Sequence, residues 1–489
     1  MRTSSDKGNK RFIIIGAGIS GILSAIKLYE RGFENVVVYE KGDSVGGTWR
    51  ENTYPGLTCD VPSHVYTYSF APNPEWSQVF SPGSEIREYI ESTAKKFGVH
   101  ELIRFNTEVT SCEFDGSRWN IETKNKDKDT GDFVIAATGV LHHPHYPDIK
   151  GEDSFSGKIL HSARWDRRVT TEGQRIAVVG NGSTGVQLVS ELAPKASHLV
   201  HYQRTPQWIR PVENPPFSEE QKQLFRSTPN LLREMRTDPQ FYEVVDRFSA
   251  AITDPSSQEA DEMQQMMEDN LRESVIDPKL REKLRPDHQA GCKRLVSSPD
   301  YYQKVQLPNV EVVTCGIERI TDVGILDCDE NSREFDLIVL ATGFKAHEFM
   351  RPMKVVGKDG ASLDRIWGNR PVAYYAISVP GFPNFFMLNG PNSPVGNTSL
   401  IDVAERQWNY IEQLIDSVFD SHAVGISATS DALNDFEKRR VDAAKQTIFA
   451  TGCNSWYLDE EGVPATWPWT MQAFYEAMER PRFNDYEFT

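Results

Sequence analysis

Four apolar residues, Phe12 to Ile15, run into a glycine-rich turn and then into apolar positions at helical spacing, ISGILSAIKLYE; a second apolar run, NVVVYE, follows and ends at Glu40. A short apolar run closed by glycine reads as a buried strand, and the 3.6-residue spacing after it reads as a helix. The order returns once: RIAVVGNGSTGVQLVS from Arg175 echoes RFIIIGAGISGILSAI from Arg11. One repeat at so long a period is a duplicated unit rather than a solenoid. Each copy predicts strand, tight turn and helix, so the fold class is α/β.

The turn in each copy is GxGxxG: Gly16, Gly18 and Gly21 in the first, Gly180, Gly182 and Gly185 in the second. The first glycine permits the turn, the second lets a pyrophosphate approach the backbone, and the third lets helix pack on strand. Glu40 stands 19 residues past Gly21 at the end of the next strand, where an acid grips ribose hydroxyls. In the second copy the strand HLVHYQR puts Gln203 at that place, followed by Arg204 and Thr205. A carboxylate would repel a 2′-phosphate, whereas an arginine and a hydroxyl hold it. Two sites of opposite ribose chemistry predict two Rossmann-like dinucleotide-binding domains, the first for FAD and the second for NADPH.

The apolar runs before Ala137-Thr138-Gly139 and Ala341-Thr342-Gly343 read as crossings between the domains. The plan is then residues 1–145 and 321–489 for the FAD-binding domain, and 146–215 with 291–320 for the NADPH-binding domain. Residues 216–290 lose strand signals and carry amphipathic charged stretches, which predicts a helical insertion over the substrate cavity. Met263, Met266 and Met267 fall at helical spacing there and predict a packed face.

Composition narrows the function classes. The 489 residues are 39% hydrophobic and 25% charged, as in ordinary globular proteins. The 53 basic and 70 acidic side chains give a net charge of −17, which disfavours a nucleic-acid partner. No apolar run is long enough to span a bilayer and none has signal-peptide character, so a cytoplasmic protein is expected. The six cysteines, at 59, 112, 292, 315, 328 and 453, form no CxxC or CxxxxC pair; reduced thiols are expected, and a disulfide-reductase reaction is disfavoured. His142, His143 and His145 lie in the proline-bearing LHHPHYP, which reads as a linker, and no metal site is expected.

Before the second glycine motif stands FSGKILHSARWD, with Phe155, Gly157, His161, Trp165 and Asp166 in the order FxGxxxHxxxWD. This segment resembles the fingerprint of type I Baeyer-Villiger monooxygenases. The likeness extends to GGTW at Gly46 to Trp49, YPGLTCD at Tyr54 to Asp60 and GCKR at Gly291 to Arg294. It implies an NADPH- and O2-dependent flavoprotein that turns ketones into esters or lactones through a flavin C4a-peroxide, with Arg294 as the fixed cation and Asp60 as its partner. It also implies FAD contacts from Gly47, Thr48, Trp49, Asp60 and Tyr66 beside Glu40. NADP contacts are implied for Asn181, Ser183, Thr184, Gln187, Arg204, Thr205, Lys293 and Trp456, and Arg294 faces both cofactors. His161 is implied to sit in an interdomain linker with no direct chemistry. The chain departs from the family at Asn392, where members commonly carry glycine. Flavin-containing N- or S-oxygenases, whose fingerprint ends in Tyr or Phe, are the alternative. The subunit number stays open, and a monomer is compatible with everything above.

Overall fold

The computed structural model describes residues 10–394 and 398–489; the first nine residues of the expected segment 1–145 lie outside it. Strand β1 (Phe12–Ile15), helix α1 (Ile19–Glu30) and strand β2 (Val36–Tyr39) form as the pattern predicts. A five-stranded sheet grows around β1 from β3 (Ile103–Arg104), β4 (Phe133–Ala136) and β10 (Phe385–Met387), in the order β10-β4-β1-β2-β3. Every pairing is parallel. Strands buried on both faces of a parallel sheet need continuous apolar runs, and β1, β2 and β4 are buried at each position.

The second sheet repeats the first. It contains β5 (Lys158–His161), β6 (Arg175–Val179), β7 (His198–Tyr202), β8 (Val310–Val313) and β9 (Leu337–Leu340), all parallel, in the order β8-β7-β6-β9-β5. Helix α2 (Ser183–Leu192) follows β6 as α1 follows β1. Strands β4 and β9 take the same place beside the first strand of their sheets, so the two Ala-Thr-Gly segments are equivalent strand ends rather than crossings alone. A Cβ on Gly16 would lie 2.5 Å from the Ala137 carbonyl oxygen, and one on Gly180 would lie 2.4 Å from that of Ala341. Their φ values, +105° and +106°, are also closed to most side chains.

The domain plan needs one correction here. Because β9 pairs with β5 and β6, Leu337–Leu340 belongs to the second sheet; Ile325 and Phe335 before it pack into the same core, and the chain returns to the first sheet after Leu340. A four-residue apolar run does not say which sheet it joins; its parallel neighbours decide that. Residues 216–290 are helical, with α3 (Glu219–Ser227), α4 (Pro229–Arg236), α5 (Pro239–Thr253), α6 (Gln258–Ser274) and α7 (Pro278–Leu284). Met263 and Met267 are buried in the second core and Met266 faces out. Helix α8 (Leu400–Ser421) covers the first sheet through α1 and packs on α9 (Met471–Glu479).

The cysteine expectation is overturned. Cys292 and Cys453, 161 residues apart, are joined by a disulfide with a Cα–Cα distance of 6.2 Å. Spacing along the chain could not show this, since the C-terminal segment folds back onto the GCKR loop only in three dimensions. Cys59, Cys112, Cys315 and Cys328 are free thiols. Among the described residues no helix is long and apolar enough to cross a membrane.

Candidate active site

The glycine turns separate two demands. Gly21 and Gly185 are fixed by packing, because a Cβ on either would lie 1.8 or 1.9 Å from the carbonyl oxygen of the first glycine of its motif. The middle glycines are not. Gly18 and Gly182 have φ of −81° and −67°, open to any residue. A Cβ on Gly182 would meet nothing within 4 Å, and one on Gly18 would meet only Gly47, its Cα at 3.5 Å. Bare backbone at a helix N-terminus, with no protein atom requiring it, is space for a phosphate.

Around the first turn, Glu40 is buried and accepts from the backbone N–H groups of Ala17 (2.8 Å) and Gly42 (2.7 Å) and from Arg50 (2.7 Å). Asn389 and Asn392 each present a buried side-chain oxygen with no partner. These residues, with Gly47, Thr48, Trp49, Asp60 and Tyr66, line a cavity of about 720 Å³. Trp49 donates from its indole N–H to the Tyr66 hydroxyl at 3.2 Å, fixing both rings edge to face. Burial pushes the Tyr66 phenol up, so it stays protonated.

Around the second turn, Asn181 donates to Gln203 (3.2 Å) and to the Thr205 carbonyl (2.6 Å), while the Gln203 Nε2 donor is buried without a partner. Arg204, Thr205 and Lys293 line a second cavity of about 510 Å³ together with Asp287 and the segment 451–456. Lys293 donates to the Thr205 hydroxyl at 3.3 Å. Burial lowers its ammonium pKa, with Asp287 opposing and Arg204 adding to the effect. Among the described residues no carboxylate pairs with Arg204. Two cationic side chains, Arg204 and Lys293, and one carboxylate, Asp287, thus face this cavity.

The two cavities share Lys293, Asn454, Ser455 and Trp456 as a common wall. Beside that wall Asp60, in the loop after the first motif, accepts from Arg294 at 2.5 Å across 234 residues of sequence. Both side chains stay about a quarter exposed, 25% and 29%, because they face the larger cavity. Arg294 also donates to the hydroxyl of Tyr457, a buried residue next to Trp456. The Asp60 charge raises the guanidinium pKa still further above its usual value. For Asp60, burial would raise the carboxyl, but the Arg294 charge and hydrogen bond, with Arg210 behind them, bring it below the usual carboxylate range.

A carboxyl depressed in the folded state contributes stability that is full above the unfolded pKa of about 4 and is lost as pH falls through the lower folded value. Melting curves of the Asp60→Asn variant and the native protein should therefore differ by a constant interval from about pH 8 to about pH 5 and converge below about pH 4. Convergence already near neutrality would mean the pair titrates in the working range.

A family profile described as FMO-like, flavin-binding monooxygenase-like, matches residues 9–215. An uncharacterised monooxygenase of Mycobacterium tuberculosis is 45% identical over 461 residues, 93% of this chain and 91% of that one. A Baeyer-Villiger monooxygenase of Streptomyces coelicolor is 38% identical over 485 residues, 98% of this chain and 92% of its own length. The chain belongs to the Baeyer-Villiger monooxygenase family. The solved structure of OTEMO in complex with FAD and NADP superposes with a TM-score of 0.87 at 28% identity, covering 99% of this chain and 100% of that one.

In this monooxygenase the structure also fixes the surroundings of several other residues singled out in the sequence. His161 ends the edge strand β5, paired with Leu340, and so is part of the second sheet rather than a linker; burial lowers its pKa. Gln187 accepts from the Tyr54 hydroxyl (2.8 Å) and donates to the Thr58 carbonyl (3.1 Å), fastening the YPG loop of the first domain to α2. Gly56 is required there, since a Cβ would lie 2.9 Å from Glu191. No residue of the helical insertion 216–290 is among the walls of the larger cavity. His142 and His143 are held by the carbonyls of Phe349 and Arg351 at 2.7 and 2.8 Å. Asn392 adopts φ +68°, a conformation natural to glycine and tolerated by asparagine, so the departure keeps the turn and adds a side chain to the cavity wall. Sequence reasoning missed Tyr457, whose one signal was its place beside Trp456.

Proposed function

We propose that this monooxygenase uses NADPH and O2 to convert a ketone into an ester or lactone, releasing NADP+ and water. The observation that carries this reading is the Asp60–Arg294 ion pair, made by residues of two domains beside the wall shared by the two cavities. In the first site Gly16, Gly18, Gly21, Glu40, Gly47, Thr48, Trp49, Asp60 and Tyr66 hold FAD. The partnerless oxygens of Asn389 and Asn392 and the open approach at Gly18 fit such a ligand. In the second, Gly180 to Gly185, Arg204, Thr205, Lys293 and Trp456 hold NADPH. The FAD-binding domain is then residues 1–145 and 341–489, the NADPH-binding domain 146–215 and 291–340, with 216–290 inserted.

When bound, the flavin accepts hydride from the nicotinamide and activates dioxygen. The protein must then stabilise the negative oxygen that develops at the substrate carbonyl as it is attacked. A guanidinium that keeps its charge at every working pH does this, and its hydrogen bonds are fixed beforehand by Asp60 and Tyr457, so little reorganisation is needed. Nitrogen or sulfur oxygenation develops no such oxyanion on the substrate and gives Arg294 no task.

Purified enzyme supplied with NADPH, air and a panel of ketones, amines and sulfides tests the reading. Ketone-dependent NADPH oxidation with an ester product is the expected result; turnover restricted to amines and sulfides would replace it with N- or S-oxygenation. In the Gly182→Ala variant the thermal midpoint should hold while NADP+ affinity drops about tenfold, a loss of ~1.4 kcal/mol. Equal affinity by calorimetric titration would show that no phosphate approaches that backbone.

A further inference from the structure

The Cys292–Cys453 disulfide lies at the point where the two walls of the site meet. Cys292 is followed directly by Lys293 and Arg294, and Cys453 by the segment Asn454 to Tyr457. Both flanking segments line the larger cavity, and Cys453 itself lines the smaller one beside Arg204 and Thr205. The 451–456 stretch has little else to hold it. It has no sheet partner, Trp456 is 40% exposed, and Gly452, at φ +106°, has nothing within 4 Å of where a Cβ would stand. Its far end is secured by His347 Nε2, 3.0 and 3.1 Å from the carbonyl oxygens of Trp456 and Leu458, and by Tyr457, which is buried against Phe449, leaving Gly452 to Trp456 between the anchors. The near end is anchored by Ile448 and Phe449 in the second core.

We infer that the Cys292–Cys453 bond is a positioning element for the reaction. It holds the Trp456–Tyr457 segment against Lys293 and Arg294, and its reduction loosens the grip on NADP(H). This rests on the reading of the smaller cavity as the NADPH phosphate pocket. The covalent step is thiol-disulfide exchange with a small dithiol. A thiolate of the reductant attacks one sulfur of the pair and the other leaves as a thiolate; the second thiol of the reductant then displaces the first protein sulfur. The protein gains two electrons and two protons, and the dithiol closes to its own disulfide. Because Cys453 lines the cavity that takes the dinucleotide, bound NADP+ shields the bond. By linkage, breaking the bond weakens NADP+ to the same degree that NADP+ protects it.

The test uses full-length holoenzyme purified without reductant. Thiol titration after denaturation should give four thiols, and six after treatment with dithiothreitol, from the six cysteines of the chain. Reduction of the wild type should weaken NADP+ binding, measured by calorimetry without any ketone, by about tenfold. It should raise KM for NADPH far more than it changes kcat, and saturating NADP+ should slow the reduction. The Cys292→Ser/Cys453→Ser variant should start in the weakened state and ignore dithiothreitol. Six thiols in the untreated protein, an NADP+ affinity indifferent to reduction, or an equal loss on treating the double variant would each overturn the inference. NADP+ that binds and responds to reduction in an enzyme forming no ester would sink the ketone reading and leave this one standing.

Discussion

Replacing Arg294 by alanine is expected to lower the rate of ester formation by about 10²–10³-fold, the range found when one preorganised oxyanion donor is removed. NADPH oxidation should continue, with its electrons appearing as hydrogen peroxide. The loss falls on the chemical step because Arg294 reaches the cavity from a fixed position, held by Asp60 at 2.5 Å and by the Tyr457 hydroxyl. Lysine at 294 should restore little, since a point charge cannot keep both hydrogen bonds and still face the carbonyl. Product analysis by gas chromatography beside NADPH and peroxide assays separates the two fates. An unchanged ester yield in Arg294→Ala would remove the residue from the mechanism.

In Arg204→Ala the KM for NADPH should rise roughly 10–100-fold, the loss of one charge-assisted contact of about 1.5–3 kcal/mol, while the KM for NADH stays nearly constant. The expectation rests on Gln203, which stands where Glu40 stands in the first domain and so puts a neutral amide in place of a carboxylate at that strand end. Arg204 and Thr205 line the smaller cavity with Lys293 on the same wall. Lys293 remains in the variant, which keeps the loss partial. Parallel effects on both coenzymes would mean that Arg204 does not read the phosphate.

Both strand-turn-helix units were legible because parallel sheets covered on two faces write themselves as uninterrupted apolar runs, and because GxGxxG answers steric needs that packing at Gly16, Gly21, Gly180 and Gly185 makes visible. Asp60 and Arg294 were legible only through motifs, for nothing local links two residues 234 positions apart. What escaped depends on tertiary approach. The run at Leu337–Leu340 could have joined either sheet. The Cys292–Cys453 bond and the Tyr457 contact with Arg294 exist only because the C-terminal segment returns to the GCKR loop. The helical character of 216–290 was readable from its amphipathic pattern, but where those helices dock was not.

Arg294 and the two cofactors are proposed to insert one oxygen atom next to a ketone carbonyl. Turnover of a cyclic ketone under ¹⁸O₂ with NADPH, followed by mass spectrometry of the product, tests it most directly. The expected product is a lactone carrying a single ¹⁸O as the ring oxygen, with its carbonyl oxygen unlabelled and close to one NADPH consumed per lactone. Oxygen-18 recovered only as peroxide or water, with the ketone returned unchanged and N- or S-oxides formed from amines or sulfides instead, would contradict it.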